Sequence, residues 1–210
     1  MRCSACSAPV KPIVSLDIDG TLGDYHGHFQ SFAQNYLGRP VRQDRYDYTC
    51  PYPEWLGLDK TTYREVKLAY RQGGLKRSMP AFTGASWLTQ GLSARGAEVW
   101  IATTRPYLRL DNIDPDTRHW LERNEIHYDA MIYGEEKYQK LIEQVDSDRI
   151  VGVVDDLPEQ LEHAIALGIP SWLARQGHAE HVWKPFRCFD SPVQMTSLFQ
   201  EVRAWTTASH

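Results

Sequence analysis

Ser15-Leu16-Asp17-Ile18-Asp19-Gly20-Thr21-Leu22 is the stretch that decides the fold of this 210-residue chain. Its apolar start, two carboxylates and glycine turn predict a buried strand over residues 13–18 with the acids at its carboxyl end. Asp17 and Asp19 alternate with Ile18, so their side chains point the same way along an extended strand. Carboxylates at such a strand end suit a hard divalent cation. Gly20 would let backbone amides approach an anion closely.

Outward from this strand, the chain alternates short apolar runs with helical patterns. Runs bounded by Gly, Asp or Pro predict strands at residues 98–103, 130–133, 150–154 and 171–174. Helical patterns cover residues 86–94, 115–124, 135–145, 158–167 and 193–205. We therefore expect an α/β fold, a three-layer Rossmann-like parallel sheet with helices on both faces. The segment after about residue 176 is expected to loop over this core.

One stretch, residues 23–80, interrupts the alternation. It contains helix-like pieces at 28–37 and 61–72 and many tyrosines, but no convincing strand. We expect it to form a small helical cap, inserted after the first strand of a core made of residues 11–22 and 81–210. Its aromatic rings could stack on a flat substrate such as a nucleobase. They could equally form the cap's own small core.

Composition excludes several classes of protein. Hydrophobic residues make up 42% and charged residues 24% of the chain, which is ordinary for a soluble globular protein and excludes collagen-like and disordered classes. No apolar run approaches the roughly 18 residues of a membrane helix, and the N-terminus lacks the apolar region of a secretory signal. We expect a cytoplasmic protein with no membrane partner. The net charge of −4 disfavours, without excluding, a nucleic-acid partner.

The four cysteines do not form a disulfide framework. Cys3 and Cys6 make one CxxC pair in a predicted N-terminal extension over residues 1–10, which is at best half of a zinc site. Cys50 and Cys188 are isolated in the sequence. A reduced protein with a frayed extension is the simplest interpretation, and metal binding by the CxxC pair is the alternative.

Polar groups follow three further predicted strands. The second ends in Thr103-Thr104-Arg105, Lys137 follows the third, and the fourth ends in Asp155-Asp156. Parallel strands carry their carboxyl ends to one edge of the sheet, where ligands bind. Hydroxyl, guanidinium and ammonium groups suit a phosphate, and a bound cation would resolve the cost of unpaired buried carboxylates. The pattern predicts a site for phosphate and Mg²⁺.

Four motifs in this order resemble those of the haloacid dehalogenase superfamily of phosphotransferases. They are DIDGT at 17–21, TTR at 103–105, the lysine within GEEKYQK at 134–140, and VVDD at 153–156. The resemblance covers about residues 13–175. It implies that Asp17 attacks phosphorus and that Asp19 protonates the leaving oxygen and then activates water. Because dehalogenase-type members would lack Asp19, its presence favours phosphate chemistry.

The same resemblance implies roles for the other strand-end residues. Thr103 would hold a phosphoryl oxygen, with Thr104 as the alternative, and Gly20 and Arg105 would also lie at the phosphate. Lys137 would neutralise the aspartyl-phosphate, with Lys140 as the alternative. Asp17, the Asp19 carbonyl, Asp155 and Asp156 would surround Mg²⁺, and which of the last two touches the metal stays open. Arg105 would clamp a second phosphate or a carboxylate, unless it pairs with Asp111 or Asp114.

Two subfamilies suggest substrates. The segments 19–37 and 79–85 look similar to those of 5′(3′)-deoxyribonucleotidases. TTRP at 103–106, DTRHWLERNEI at 116–126 and LGIPSWLA at 167–174 look similar to the 3′-phosphatase module of polynucleotide kinase. We expect a Mg²⁺-dependent phosphatase that acts on small phosphomonoesters, foremost nucleoside monophosphates. The alternatives are a 3′-phosphatase of nucleic-acid ends and a noncatalytic module that binds a phosphorylated ligand. The oligomeric state stays open.

Overall fold

A computed structural model describes residues 10–106 and 110–208. The predicted CxxC pair therefore lies outside the described residues. Six parallel strands form a single sheet in the order β3-β2-β1-β4-β5-β6. The strands are β1 Ile13–Leu16, β2 Glu98–Thr103, β3 Ala130–Tyr133, β4 Ile150–Asp155, β5 Ser171–Ala174 and β6 Arg187–Phe189. This sheet confirms the predicted α/β, Rossmann-like class.

Helices connect the strands and fill the segment after β1. That segment contains α1 Tyr25–Leu37, α2 Tyr52–Trp55 and α3 Lys60–Gln72, followed by a 3₁₀ turn at Leu75–Ser78. The remaining helices are α4 Ala85–Ser93, α5 Ile113–Arg123, α6 Lys137–Gln144, α7 Pro158–Ala166, α8 Glu180–Trp183 and α9 Thr196–Ala208. Within the described ranges, no helix is both long enough and apolar enough to cross a membrane.

The sheet is buried between two apolar layers, which explains its nearly continuous hydrophobic strands. Every residue of β1 and β4 is buried. One layer includes Leu88, Leu92 and Leu198 of α4 and α9. The other includes Leu141 and Leu161 of α6 and α7. Helices on both faces leave the carboxyl edge of the sheet for polar side chains.

Two sequence expectations need correction. The first strand ends at Leu16, because the chain leaves the sheet at Asp17 and folds into a tight loop in which the Ile18 carbonyl accepts bonds from three backbone amides. Residues 187–189 form an edge strand, β6, where a loop was expected. Its first two residues, Arg187 and Cys188, are incompletely buried, so the segment lacks the apolar run that marks the inner strands.

Residues 23–80, which we call the helical insert, hold a dense cluster of aromatic rings. Asp24 and Asp59 cap α1 and α3 by accepting backbone N–H bonds. Phe29 packs on Tyr70 with ring centroids 5.3 Å apart, and Tyr25 packs edge-on against Tyr70 at 5.9 Å. The rings thus contribute an apolar core to the insert, and this core is continuous with one layer of the sheet. The boundaries of a separate cap stay a prediction.

Candidate active site

Three buried carboxylates meet at the carboxyl ends of β1 and β4. Asp17 is 4% exposed, Asp155 is fully buried and Asp156 is 1% exposed. One oxygen from each lies within 4.8 Å of the other two. The sheet produces this meeting, because β1 and β4 are parallel neighbours and the Asp17 amide donates to the Val154 carbonyl at 2.9 Å. The predicted convergence of the two acidic motifs is therefore present in the structure.

Lys137 neutralises one side of this cluster. Its Nζ lies 2.7 Å from Asp17 Oδ1 and 2.5 Å from Asp155 Oδ2. Burial alone would lower the pKa of Lys137, but the two carboxylates outweigh burial and raise it above its ordinary value. Lys140, the alternative from the sequence, instead donates to the Tyr133 carbonyl at 2.8 Å. The structure therefore brings Lys137, and not Lys140, to Asp17.

Both oxygens of Asp155 are occupied by protein groups. Besides the Lys137 contact, Oδ2 accepts a bond from the Tyr138 hydroxyl at 2.7 Å. Oδ1 accepts a bond from the Leu157 amide at 3.0 Å. Asp155 is consequently placed to hold Lys137 and the start of the following loop, and its lone pairs are mostly used.

Asp156 is held from the insert and from the loop after β5. The Tyr48 hydroxyl donates to Asp156 Oδ2 at 2.5 Å, and His178 Nε2 donates to the Asp156 backbone carbonyl at 2.7 Å. The rings of Tyr48 and His178 are stacked, with centroids 3.6 Å apart and planes at 8°. Oδ1 of Asp156 is buried and has no hydrogen-bond partner among the described residues. One oxygen is therefore fixed and the other is left for a ligand.

Sequence reasoning did not assign a role to Tyr48. Its backbone has φ of 61°, in the left-handed region that a bulky residue rarely adopts. Strained backbone of this kind persists where surrounding contacts enforce it, and such places cluster at functional sites. No local sequence pattern predicts the contact between Tyr48 and Asp156, because the two residues are 108 positions apart.

Asp19 lies in a cationic environment. Its Oδ1 accepts a bond from Arg105 Nη2 at 2.6 Å, and Lys76 contacts its Oδ2. Burial alone would raise the pKa of Asp19, but Arg105 and Lys76 outweigh burial and hold the pKa far below its ordinary value. Lys76 belongs to the insert, is only 4% exposed, and was not singled out by the sequence.

Arg105 takes neither of the surface partners considered for it. Apart from Asp19, its guanidinium donates to Thr117 Oγ1 at 2.9 Å. Asp114 is paired with Arg118 at 2.9 Å, in a contact between helix residues four apart. Arg105 is 3% exposed and faces the same site as the aspartates, so it could exchange Asp19 for a substrate anion.

The predicted phosphate ligands also lie at this edge. Thr103 Oγ1 is buried and lacks a hydrogen-bond partner among the described residues, which leaves a donor for an oxygen ligand. Thr104, one residue beyond the strand, lines the cavity above the site. Gly20 has φ of +91°, and a Cβ there would stand 2.0 Å from Asp156 Oδ2. Only glycine fits this approach of the first loop to the acidic cluster.

The acid cluster fits a divalent cation. Burial, followed by the charges of Asp155 and Asp19, raises the pKa of Asp17 to about 7 despite the opposing effect of Lys137. Burial and the neighbouring carboxylates also raise the pKa of Asp156 well above its ordinary value. Hard oxygen ligands and an unpartnered carboxylate oxygen suit a metal such as Mg²⁺, whose charge would reverse these shifts. This is the one group of three or more potential ligating side chains within the described parts of the chain.

A cavity of about 240 Å³ opens beside the aspartates. Its floor includes Asp17, Asp19 and Asp156, and its walls come from both the sheet edge and the insert. The insert contributes aromatic rings and cations to the walls: Tyr25, His26, Tyr46, Tyr52, Tyr63, Lys67, Arg71 and Lys76. The site therefore combines an acidic floor with an aromatic and basic wall.

Comparison with known proteins shows the fold of this chain. No family model matches the sequence, and no curated protein matches it. Among solved structures, a protein of Clostridium acetobutylicum described as a predicted phosphatase has a TM-score of 0.63 at 14% identity, covering 93% of this chain and 100% of its own. A haloacid dehalogenase-like hydrolase of Streptococcus pneumoniae has a TM-score of 0.60 at 16% identity, covering 90% and 99%.

A third similar structure is CbbY from Rhodobacter sphaeroides in complex with phosphate. Its TM-score is 0.60 at 16% identity, and the match covers 89% of this chain and 96% of that protein. The chain therefore has the fold of haloacid dehalogenase-like phosphatases. At these identities the likeness extends to the fold alone, so the predicted resemblance to nucleotidases and to the polynucleotide kinase module stays a prediction.

Proposed function

We propose that this protein is a Mg²⁺-dependent phosphatase that hydrolyses phosphomonoesters through an aspartyl-phosphate on Asp17. The observation that carries the proposal is the cluster of Asp17, Asp155 and Asp156 beside Lys137. Asp19 lines the same cavity as Asp17 and Asp156. The haloacid dehalogenase-like phosphatase fold supports the same reaction class. The predicted cytoplasmic location is part of this proposal.

In the first half-reaction, an oxygen of Asp17 forms a bond to phosphorus as the ester P–O bond breaks. Asp19 gives a proton to the leaving oxygen, which departs as an alcohol. In the second half-reaction, Asp19 takes a proton from water, the water oxygen attacks phosphorus, and Asp17 is released with inorganic phosphate. Lys137, with Thr103 and Gly20 nearby, would stabilise the negative charge on the phosphoryl oxygens.

Asp19 needs a change of partner to perform both steps. Its contacts with Arg105 and Lys76 keep it ionised, which is the form that accepts a proton from water. A substrate phosphate that draws either cation away would raise the pKa of Asp19 and allow it to carry the proton for the leaving group. The cations thus connect substrate binding to the acid-base role.

Asp17 and Asp156, with the Asp19 carbonyl, would hold the metal. Asp156 is favoured over Asp155 as the direct ligand because its Oδ1 is unpartnered, whereas both Asp155 oxygens already accept bonds. The cation would neutralise the carboxylates and polarise a phosphoryl oxygen. Asp155 would act through Lys137, which it holds at 2.5 Å.

We further propose nucleoside monophosphates as substrates. The cavity that contains Asp17 and Asp19 is lined by aromatic residues, such as His26 and Tyr52, as well as by cations. Tyr52 is buried and packs edge-on against His26, with centroids 4.6 Å apart, so only the parts of these rings that line the cavity are available to a base. A ring of this kind binds bases with little sequence selectivity.

The test is phosphate release from a panel of nucleoside monophosphates, sugar phosphates, 3′-phosphorylated oligonucleotides and p-nitrophenyl phosphate, each with Mg²⁺ and with EDTA. We expect Mg²⁺-dependent turnover, with nucleoside monophosphates the preferred class. Preference for 3′-phosphorylated oligonucleotides would overturn the substrate assignment. Binding of nucleotides with no release from any compound would identify a noncatalytic binding module and overturn the enzyme assignment.

A further inference from the structure

Two cations on α3 have no described partner of opposite charge. Lys67 and Arg71 lie four residues apart, so they occupy one face of the helix, together with Tyr63. All three line the cavity that contains Asp17 and Asp19. Within residues 10–106 and 110–208, no carboxylate lies within ion-pair distance of either cation. Like charges at this spacing repel each other, so a bound anion would stabilise Lys67 and Arg71 in this arrangement.

These cations are in addition to those that the reaction uses. Lys137 balances Asp155, and Asp19 is already contacted by both Lys76 and Arg105. A divalent cation would balance Asp17 and Asp156. With a phosphate dianion also bound, these groups alone would carry a net charge of −1, and Lys67 and Arg71 together would bring the site to +1. The site can therefore accept negative charge beyond that of the phosphate that reacts, and Lys67 and Arg71 are the cations of the insert that line this cavity and have no described acidic partner.

We propose that Lys67 and Arg71 bind a second phosphate group of the substrate, distinct from the phosphate that is hydrolysed. The proposal rests on the proposed phosphatase function and narrows its substrate class to phosphomonoesters that carry another phosphate. A nucleoside 3′,5′-bisphosphate meets this requirement and keeps the nucleoside phosphate proposed above. Arg71 supplies a planar guanidinium suited to two phosphate oxygens, and Lys67 supplies a compact charge beside it.

The placement of Lys67 supports this assignment. Its Nζ lies 5.1 Å from the centroid of the Tyr63 ring, so an aromatic face orients the ammonium group at the cavity wall. Tyr63 lines the same cavity, one helical turn before Lys67. A base or sugar on the aromatic wall would place its second phosphate toward this end of the insert, while the first phosphate lies at Asp17.

The experiment compares kcat/KM for four substrates: p-nitrophenyl phosphate, a nucleoside 5′-monophosphate, the corresponding 3′,5′-bisphosphate and a 3′-phosphorylated dinucleotide. The variants are Lys67→Met and Arg71→Met, which keep helix propensity and side-chain length. Arg64→Met, an exposed cation of the same helix outside the cavity, is the matched control. We expect wild type to favour the 3′,5′-bisphosphate over the 5′-monophosphate by about tenfold or more, the gain typical of a charge-assisted contact.

In the Arg71→Met and Lys67→Met variants this preference should fall about tenfold, with p-nitrophenyl phosphate turnover unchanged. A wild-type preference for the 3′-phosphorylated dinucleotide over the bisphosphate would contradict the nucleotide assignment. Equal losses on all substrates, equal effects of Arg64→Met, or no preference in wild type would overturn the second-phosphate site.

A direct binding measurement separates this proposal from the phosphatase assignment. If wild type hydrolyses nothing, the phosphatase assignment fails. Calorimetry with the bisphosphate and the monophosphate still tests whether Lys67 and Arg71 bind a second phosphate. Tighter binding of the bisphosphate by wild type than by Arg71→Met supports the site. Equal affinities for the two compounds refute it.

Discussion

The sheet edge and the helical insert face each other across one cavity, and they differ in the charges that they contribute to it. The sheet edge supplies three buried carboxylates, two of which contact Lys137. The insert supplies Lys67, Arg71 and Lys76, of which only Lys76 has an acidic partner among the described residues. The sheet edge therefore attracts a cation and the insert attracts anions. A phosphate carried between a metal and a basic wall satisfies both sides.

Asp17 and Asp19 show the contrast at close range. They are separated by one residue, yet burial and neighbouring acids raise the pKa of Asp17 to about 7 while Arg105 and Lys76 lower that of Asp19 despite its burial. Two carboxylates with pKa values pushed in opposite directions are typical of sites where the two groups have different chemical roles. Substitutions on the two sides of the cavity should therefore have different effects on turnover, stability and metal binding.

Replacing the proposed nucleophile should have the largest effect. We expect Asp17→Asn to lower kcat by at least about 10³-fold, because the amide cannot form the aspartyl-phosphate. The amide is isosteric and removes one charge from a crowded acidic cluster, so circular dichroism should show an unchanged fold. Asp44→Asn, at an exposed acid, is the control and should keep full activity. Substantial turnover by Asp17→Asn would show that another group attacks phosphorus.

Lys137→Met tests the cation of the sheet edge. It leaves Asp17 and Asp155 buried without their shared partner, which should cost about 3–5 kcal/mol of unfolding free energy in the absence of metal. Turnover should fall about 10²-fold, since a charge beside the phosphoryl oxygens is lost. Denaturant melts and steady-state kinetics measure the two effects. Lys140→Met is the matched control, and a comparable loss in that variant would contradict the assignment of Lys137.

The two sides also differ in how far they could be predicted from the sequence. The acidic residues lie at the ends of strands and Lys137 lies at the start of a helix. The apolar runs of the strands and the order of the motifs were therefore enough to predict their positions. Sequence spacing alone did not show whether Lys137 or Lys140 contacts Asp17. In the structure α6 begins at Lys137, and this residue makes the contact. Edge strand β6 was missed because it has no continuous apolar run.

The insert residues carried no such local signal. Lys76 reaches Asp19 across 57 residues, from a 3₁₀ turn whose sequence gives no clear periodicity. Tyr48 reaches Asp156 across 108 residues, and His178 reaches the Asp156 backbone carbonyl across 22 residues. Contacts of this kind depend on how the insert packs on the sheet edge, which hydrophobic patterning does not specify.

Tyr48→Phe tests the contact between the insert and the acidic cluster. The variant keeps the ring stacked on His178 but removes the bond to Asp156 Oδ2. Because groups that orient a metal ligand typically affect affinity by about 10- to 100-fold, we expect Mg²⁺ affinity measured by calorimetry to fall by at least about tenfold. Tyr36→Phe, which removes an exposed hydroxyl that bonds Glu65, should leave the affinity unchanged. Unchanged Mg²⁺ binding in Tyr48→Phe would show that Asp156 does not need this contact.

The smallest expected effect is a pH dependence of stabilisation by Mg²⁺. The folded-state pKa of Asp17 is raised from 3.8 to about 7, so between these values the metal-free native state holds protons that the unfolded chain releases. The contribution of Asp17 to metal-free stability should therefore fall as the pH rises through this window. Burial lowers the pKa of His26 to about 3 and that of His178 to about 4, so these two histidines contribute in the opposite direction over part of the window, and the comparison with and without Mg²⁺ isolates the carboxylates. The lowered pKa of Asp19 places its titration below the window.

Cation binding displaces those protons and becomes more favourable as they are lost. The increase in Tm caused by Mg²⁺ should accordingly be larger at about pH 8 than at about pH 5, where protonated Asp17 and Asp156 compete with the metal. Thermal melts with and without Mg²⁺ at the two pH values measure this, with Asp17→Asn as the variant in which the difference should shrink. A larger metal effect at the acidic pH would mean that the cation binds away from these carboxylates, and the sheet edge would lose its assigned role.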